Sequence, residues 1–247
     1  MSSIEWTEKT WNPSTGCTKI SAGCKHCYAE TMARRLQAIG VRGYERGFEF
    51  TIHPERLHEP MKRRKPTIWF VNSMSDLFHE RMPKWFLDRV MSVIESCPQH
   101  VFQVLTKRAE RMARYFQDRR VPPNLWLGVT VENRRHGVPR IELLRGIPST
   151  VRFLSCEPLL EDLGELDLRG IHWVIVGGES GPKARPMDKE WALRIRDQAK
   201  AQGCAFFFKQ WGSWGEDGRK RSKTKNGRSL DGRTWDEMPV DAFMCAA

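Results

Sequence analysis

No apolar run in this 247-residue chain reaches the roughly 20 residues a bilayer-spanning helix needs. The N-terminus, Met1-Ser2-Ser3-Ile4-Glu5, lacks a basic flank and an apolar stretch, so no secretory signal is expected and a cytoplasmic location follows. Internal repeats and long linkers are missing too, which excludes a solenoid array. Acidic residues are scarce beside basic ones, 30 against 41, and the formal net charge is +11. That excess excludes an electrostatic preference for cationic partners and favours polyanions, nucleic acid first. A generally basic enzyme would show the same excess.

Cysteine is neither absent nor even in number. The seven thiols do not form a paired set, and cytosolic thiols stay reduced, so close-spaced ones point to metal or catalysis. Four of them, Cys97, Cys156, Cys204 and Cys245, are scattered.

What is present is an alternation of short apolar segments with helical ones. Strands are expected at Thr67–Val71, Val101–Leu105, Leu125–Val131, Val151–Ser155, Trp173–Val176 and Ala205–Phe208, with a first strand near Glu5–Trp11. Several read as continuous apolar runs, the pattern of strands buried on both faces. Helices are expected over Cys24–Leu36, Pro83–Cys97, Lys107–Asp118 and Arg140–Leu144, and from an Asp188 N-cap to a Gly203 stop. The alternation implies βαβ units and a parallel sheet, hence an α/β fold, a full or partial (β/α) barrel. A flat doubly wound sheet is the alternative. One domain is expected over 1–247, with a basic loop or arm at 212–235 whose core reads Arg219-Lys220-Arg221-Ser222-Lys223-Thr224-Lys225-Asn226-Gly227-Arg228. That run is either a mobile phosphate-binding arm or a solubilising loop.

Polar groups follow the strands one after another: Asn72-Ser73-Met74-Ser75-Asp76, Thr106-Lys107, Glu132-Asn133, Cys156-Glu157, Gly177-Gly178-Glu179 and Lys209-Gln210. In a β/α barrel the site is built at the C-terminal strand ends, so these groups are expected to share a pocket. Any single carboxylate among them could equally be a salt-bridge partner or a helix cap.

The strongest local signal is Cys17-Thr-Lys-Ile-Ser-Ala-Gly-Cys24-Lys-His-Cys27-Tyr28-Ala29, spaced C-x6-C-x2-C. Three thiolates can hold three irons of a [4Fe–4S] cluster and leave the fourth open to a ligand. Zinc is the alternative, and it wants four ligands, with His26 the only nearby addition.

The Cys24-Lys-His-Cys27-Tyr28-Ala29 run, followed by a helix, resembles the cluster loop of radical SAM enzymes. It departs from the usual C-x3-C-x2-C spacing, and its aromatic, Tyr28, follows the last cysteine instead of preceding it. Over nearly its whole length the chain also resembles the phage Gp37/Gp68-type (DUF5131) family, which has no assigned function. The motifs that carry this are Trp11-Asn12-Pro13-Ser14-Thr15-Gly16-Cys17, Asn72-Ser73-Met74-Ser75-Asp76-Leu77-Phe78, Leu105-Thr106-Lys107-Arg108, Gly128-Val129-Thr130-Val131-Glu132-Asn133, Ser155-Cys156-Glu157-Pro158-Leu159 and Gly177-Gly178-Glu179-Ser180-Gly181. Within the radical SAM group the nearest analogy is spore photoproduct lyase, a DNA repair enzyme.

The resemblance implies an enzyme whose cluster, on Cys17, Cys24 and Cys27, binds S-adenosylmethionine and starts radical chemistry, with an external electron donor. It implies that Ser73 and Asp76 lie near the SAM amino group, Thr130 and Glu132 near its ribose, and Glu157, Gly177 and Gly178 along its adenosine, with Tyr28 also among the cofactor-binding residues. Cys156 is the candidate hydrogen-atom donor, as a cysteine is in the lyase, or else a buried core cysteine. The substrate is expected to be DNA or RNA. A peptide or small-molecule substrate, or a non-enzymatic nucleic-acid-binding protein with a structural metal, are the other readings.

Overall fold

The computed structural model describes residues 4–239, so Cys245 lies outside the described residues. The described residues form two compact units, 4–20, 27–127 and 147–150 in the first, and 21–26, 128–146 and 151–239 in the second.

In the first unit three parallel strands, β1 (Lys9–Trp11), β4 (Ile68–Val71) and β5 (Val101–Thr106), lie side by side. The first half of β6 (Leu125–Thr130) continues that order. Register is set by pairs such as Trp11 with Val71 and Val71 with Val104. A small antiparallel pair, β2 (Ser14–Thr15) with β3 (Thr51–Ile52), stands apart. The helices are α1 (Tyr28–Ala38), α2 (Lys84–Glu95) and α3 (Ala109–Phe116). Helix α2 buries Phe86, Leu87, Val90, Met91, Val93 and Ile94, the face its periodicity predicts.

In the second unit the order is the second half of β6, then β7 (Val151–Cys156), β8 (Trp173–Gly177) and β9 (Ala205–Gln210). β7, β8 and β9 pair in parallel. All five residues of β8 are buried, which explains its unbroken apolar run Trp-Val-Ile-Val-Gly. Its helices are α4 (Val138–Arg145), α5 (Lys189–Ala201) and the short α6 (Lys223–Asn226). The Asp188 side chain caps α5 by accepting from the Glu190 N–H at 2.9 Å.

Within each unit the parallel strands follow one another in chain order. A doubly wound sheet instead reverses its strand order at a switch point.

Three expectations change. Helix α1 starts at Tyr28, because Ala22–Cys24 forms a 3₁₀ turn and Cys27 takes an extended conformation as its N-cap. The basic run 219–228 is fastened down. Arg221 N donates to Ser213 O and Gly215 N to Arg219 O, both at 2.9 Å, and Trp211 Nε1 donates to Ser229 O at 2.7 Å. Arg221 pairs with Asp217, and Arg228 with Asp236. Finally, Lys107, Arg108, Arg111 and Arg114 recur near helical spacing in the sequence as one basic series suited to nucleic acid, yet Arg108 and Arg111 do not join Arg114 on a solvent face. Arg108 is buried and ion-paired, and Arg111 is turned onto the carbonyls of His79 and Met82.

Gly178 shows how closely the second unit is packed after β8. A Cβ there would lie 2.0 Å from the Trp211 carbonyl oxygen, a backbone atom that cannot swing aside. Gly178→Ala is therefore expected to cost about 3 kcal/mol, as forced overpacking does, read from the urea unfolding midpoint. A cost below about 0.5 kcal/mol would mean that the Trp211–Gly212 turn yields freely.

Candidate functional site

Each expected site residue has a definite place. In the first unit, Cys17 follows Gly16, whose backbone has φ +78° and whose absent Cβ would fall 2.1 Å from the Glu49 carbonyl oxygen. The Gly16 N–H donates to Met74 O at 2.9 Å, the Cys17 N–H to Phe48 O at 3.2 Å, and Ser75 Oγ to Gly16 O at 2.7 Å. Only glycine fits that bend, so Cys17 is held on both sides by main-chain hydrogen bonds. Cys27 packs with Met32, Leu36 and Phe48 against Ala29, Ala33, Tyr44 and Met74. Tyr28 is 62% exposed at the start of α1.

Ser73 donates through Oγ to Asn12 Oδ1 at 3.2 Å. Asp76 is buried and accepts four hydrogen bonds, from Phe78 N, Thr106 Oγ1, Lys107 N and Arg108 NH1, at 2.9, 2.7, 3.1 and 3.1 Å. Its carboxylate orders the turn after β5 and aims Arg108. His79 stacks on Phe50, with ring centroids 4.2 Å apart, and its Nδ1 accepts from the Arg81 N–H. Burial first, then Arg108, pushes its pKa down to about 4, so the ring stays neutral.

In the second unit, three carboxylates follow three consecutive strands, and each has a cation. After β6, Glu132 is fully buried, and Arg140 NH1 donates to its Oε2 at 2.6 Å and to Thr130 O at 2.7 Å. After β7, Glu157 takes both oxygens to Lys209 Nζ, at 2.8 and 2.9 Å. After β8, Glu179 accepts from Arg185 Nε and NH2 at 2.9 and 2.5 Å, from the Arg185 N–H at 2.8 Å, and lies 3.2 Å from His26 Nδ1. Burial opposes the Glu179 charge, but Arg185 and His26 outweigh it and hold its carboxyl below the ordinary range.

The segment 21–26 belongs to this unit and touches two of the three carboxylates. His26 meets Glu179, and a Cβ on Gly23 would lie 3.1 Å from Glu132 Cγ. Cys24 is part of that segment, with Ser21 Oγ 3.8 Å from its Sγ. Gly177 faces Glu157, whose carboxyl carbon would be 3.4 Å from a Cβ there. Cys156 is fully buried, and burial first, then Glu132, pushes its thiol up to about 12. It is a neutral thiol at physiological pH.

Reasoning from sequence placed Glu179 and Lys209 among the polar groups after the strands without giving either a role, and it missed Arg108, Arg140 and Arg185 as their neighbours' cations. For Arg108 the available signal was the Leu-Thr-Lys-Arg motif.

Among the described residues, no group of three or more His, Cys, Asp or Glu side chains is arranged to hold a metal ion. The donor set itself fits an iron–sulfur cluster. Cys17, Cys24 and Cys27 are outside any disulfide and none of them is fully buried, and thiolates are the ligands such clusters use.

A family model described as "Protein of unknown function (DUF5131)" matches residues 1–239. The chain belongs to that family. No curated protein matches. Among solved structures, the chain is similar to a double mutant of spore photoproduct lyase with bound AdoMet and dinucleoside spore photoproduct. The identity is 12% and the TM-score 0.50, over 82% of this chain and 76% of that one. Two single mutants of the same lyase also match at 12% identity. One has a TM-score of 0.51 over 81% of this chain and 76% of its own, the other 0.50 over 79% and 75%. The likeness shows the fold, an α/β fold of parallel strands with outer helices. Among the described residues no helix is long and apolar enough to cross a membrane.

Proposed function

We propose that this chain is a radical SAM enzyme acting on nucleic acid, with a [4Fe–4S] cluster on Cys17, Cys24 and Cys27 and an external electron donor. The observation that carries the reading is the C-x6-C-x2-C motif in a chain with the fold of spore photoproduct lyase. When bound, cluster and SAM together supply an organic radical able to abstract hydrogen.

The protein's own groups support the reading. Thr130 and Gly177 end their strands and Ser73, Glu132, Glu157 and Gly178 come just after theirs, where a β/α fold builds its sites. Tyr28 offers an exposed ring beside the last cysteine. Asp76 contributes by fixing Arg108, since its carboxylate already has four donors. Cys156 is kept a neutral thiol by burial, the form that can pass a hydrogen atom to a substrate radical and become a thiyl radical. A related structure holds both AdoMet and a dinucleoside photoproduct, and this chain's charge of +11 suits a phosphate backbone. Arg219, Lys220, Arg221, Lys223, Lys225 and Arg228 form the basic segment proposed to meet it.

The test has two arms. Dithionite-reduced, reconstituted protein is expected to cleave SAM to 5′-deoxyadenosine and methionine, and Cys156→Ala to keep substrate binding while losing turnover. DNA affinity is expected to fall with salt, with a log–log slope of about −0.9 per neutralised phosphate. Neutralising Arg219, Lys220, Arg221, Lys223 and Lys225 together should make that slope shallower. Absence of SAM cleavage removes the enzyme reading. Absence of binding to any DNA or RNA at low salt shifts the substrate to a peptide or metabolite.

A further inference from the structure

Within the first unit, a cavity of about 240 Å³ is lined by Arg46, Phe50, Thr51, Ile52, Arg81 and Pro83. Two guanidinium groups converge on it, and both are open to solvent, Arg46 at 69% and Arg81 at 57% exposed. One carboxylate stands between them. Glu49 Oε1 accepts from Arg81 NH2 at 3.2 Å and lies 3.9 Å from Arg46 NH1, beyond hydrogen-bond reach. Among the described residues neither arginine side chain has another hydrogen-bond or ion-pair partner. Two cations against one anion leave this trio with an excess of positive charge.

Both arginines rise from ordered backbone. The Gly47 N–H donates to Tyr44 O at 2.8 Å and the Glu49 N–H to Arg46 O at 3.1 Å, which closes the turn that carries Arg46. The Arg81 N–H donates to His79 Nδ1 at 3.1 Å. Thr51 and Ile52 form β3 and are pinned by their pairing with Thr15 and Ser14. Phe50 is only 6% exposed and gives a ring face to His79, so it is a wall and not an open platform for a stacked base.

These features select a ligand. Low-dielectric walls beside like charges focus the field and draw in the opposite charge, here an anion. Guanidinium forks match the oxygens of a phosphate with paired N–H donors. The volume lies under the roughly 300–1,000 Å³ of pockets that enclose a whole ligand, and suits a phosphate with its adjoining sugar. With no open aromatic face, recognition goes through the phosphate and not the base.

We propose that this cavity is a phosphate-binding site: Arg46 and Arg81 clasp the phosphate, Glu49 competes for the same donors, and Phe50, Ile52 and Pro83 receive the adjoining sugar. The ligand is a phosphate ester, from a nucleic-acid strand or a free nucleotide. The site stands apart from the cluster and from SAM, and only the strand as source bears on the nucleic-acid reading.

The experiment follows the arginine Nε–H signals of isotope-labelled, full-length protein by NMR during titration with inorganic phosphate and with thymidine 5′-monophosphate. Fluorescence anisotropy measures a labelled single-stranded DNA oligomer. Phosphate is expected to shift the Arg46 and Arg81 signals saturably. Arg46→Gln and Arg81→Gln should each weaken binding about tenfold, the loss of one charged hydrogen-bond partner. Glu49→Gln should tighten it roughly two- to fivefold, the worth of a solvent-facing ion pair. Arg64→Gln combined with Lys65→Gln removes two exposed cations outside the cavity lining and should leave phosphate binding within about twofold. Oligomer affinity that falls with phosphate affinity in Arg46→Gln and Arg81→Gln supports a strand as source; loss confined to phosphate and nucleotide supports a free nucleotide. No saturable shift at either arginine with any probe overturns the proposal, and so does an equal loss in the Arg64–Lys65 control. Unchanged affinity in Glu49→Gln overturns the competing role of Glu49. If wild type binds no oligomer, the nucleic-acid reading fails while the phosphate titration still decides the cavity. A variant that does not fold by circular dichroism is set aside, because the wild-type titration decides alone.

Discussion

Alanine in place of any one of Cys17, Cys24 or Cys27 is expected to strip anaerobically reconstituted protein of most of its iron, from about four atoms per chain to below one. In the proposed three-thiolate site there is no spare protein ligand, so each cysteine would hold its own iron, and losing one would leave two irons without protein contact. The remaining described cysteines do not offer a substitute, because Cys97, Cys156 and Cys204 are buried and burial pushes all three thiols up. Alanine at Cys97 or Cys204 serves as the control and is expected to leave iron content unchanged. Iron and sulfide analysis with the visible absorption spectrum reads the result. Stoichiometric zinc without iron in wild type, after anaerobic handling, would establish a structural metal site instead.

Replacing Glu132 by alanine is expected to have the largest effect on stability, a loss of about 3–5 kcal/mol, because it leaves the buried Arg140 guanidinium without its carboxylate. Arg140 would keep the Thr130 carbonyl, which bears no charge to balance it. Both side chains are nearly free of solvent, 7% and 0% exposed, so water cannot easily take over. For a chain of this size each kcal/mol moves the melting temperature by roughly 2–4 °C. Glu132→Gln keeps an acceptor for NH1 and should lose less. Thermal and urea unfolding of the three proteins measure the series. A loss below 1 kcal/mol in Glu132→Ala would mean that Arg140 finds another anion or reaches solvent. The proposed ribose contact is separable from this structural role only in Glu132→Gln, where a fold near wild type would allow SAM affinity to be compared.

Much of this architecture is legible in the sequence because burial on both faces writes itself into composition. Trp173–Gly177 is an unbroken apolar run, Ala205–Phe208 is one that passes into Lys209-Gln210, and Val151–Cys156 is interrupted only by Arg152 and Ser155. Two-sided burial requires such runs, and the expected ends fall within two residues of those observed. The cysteine spacing, being local, was equally plain. The start of α1 was not. Helical periodicity runs back to Cys24, yet the turn at Ala22–Cys24 and the extended Cys27 interrupt it, and periodicity carries no record of backbone direction.

By itself the sequence determined the parallel α/β class, the strand positions, the thiol triplet and the polar group after each strand. It left the partner of each polar group open, because partners are chosen by three-dimensional proximity across long separations. Glu157 finds Lys209 at a separation of 52 residues, and Arg108 finds Cys17 at 91. Tertiary structure turned an apparent basic face at Lys107–Arg114 into one buried ion pair, one arginine on main-chain carbonyls and one at the surface. It also fastened the 219–228 run to Asp217 and Asp236. A charge reads the same in sequence whether it faces water or a carboxylate; only the fold, by removing solvent, decides that a buried arginine must be paired.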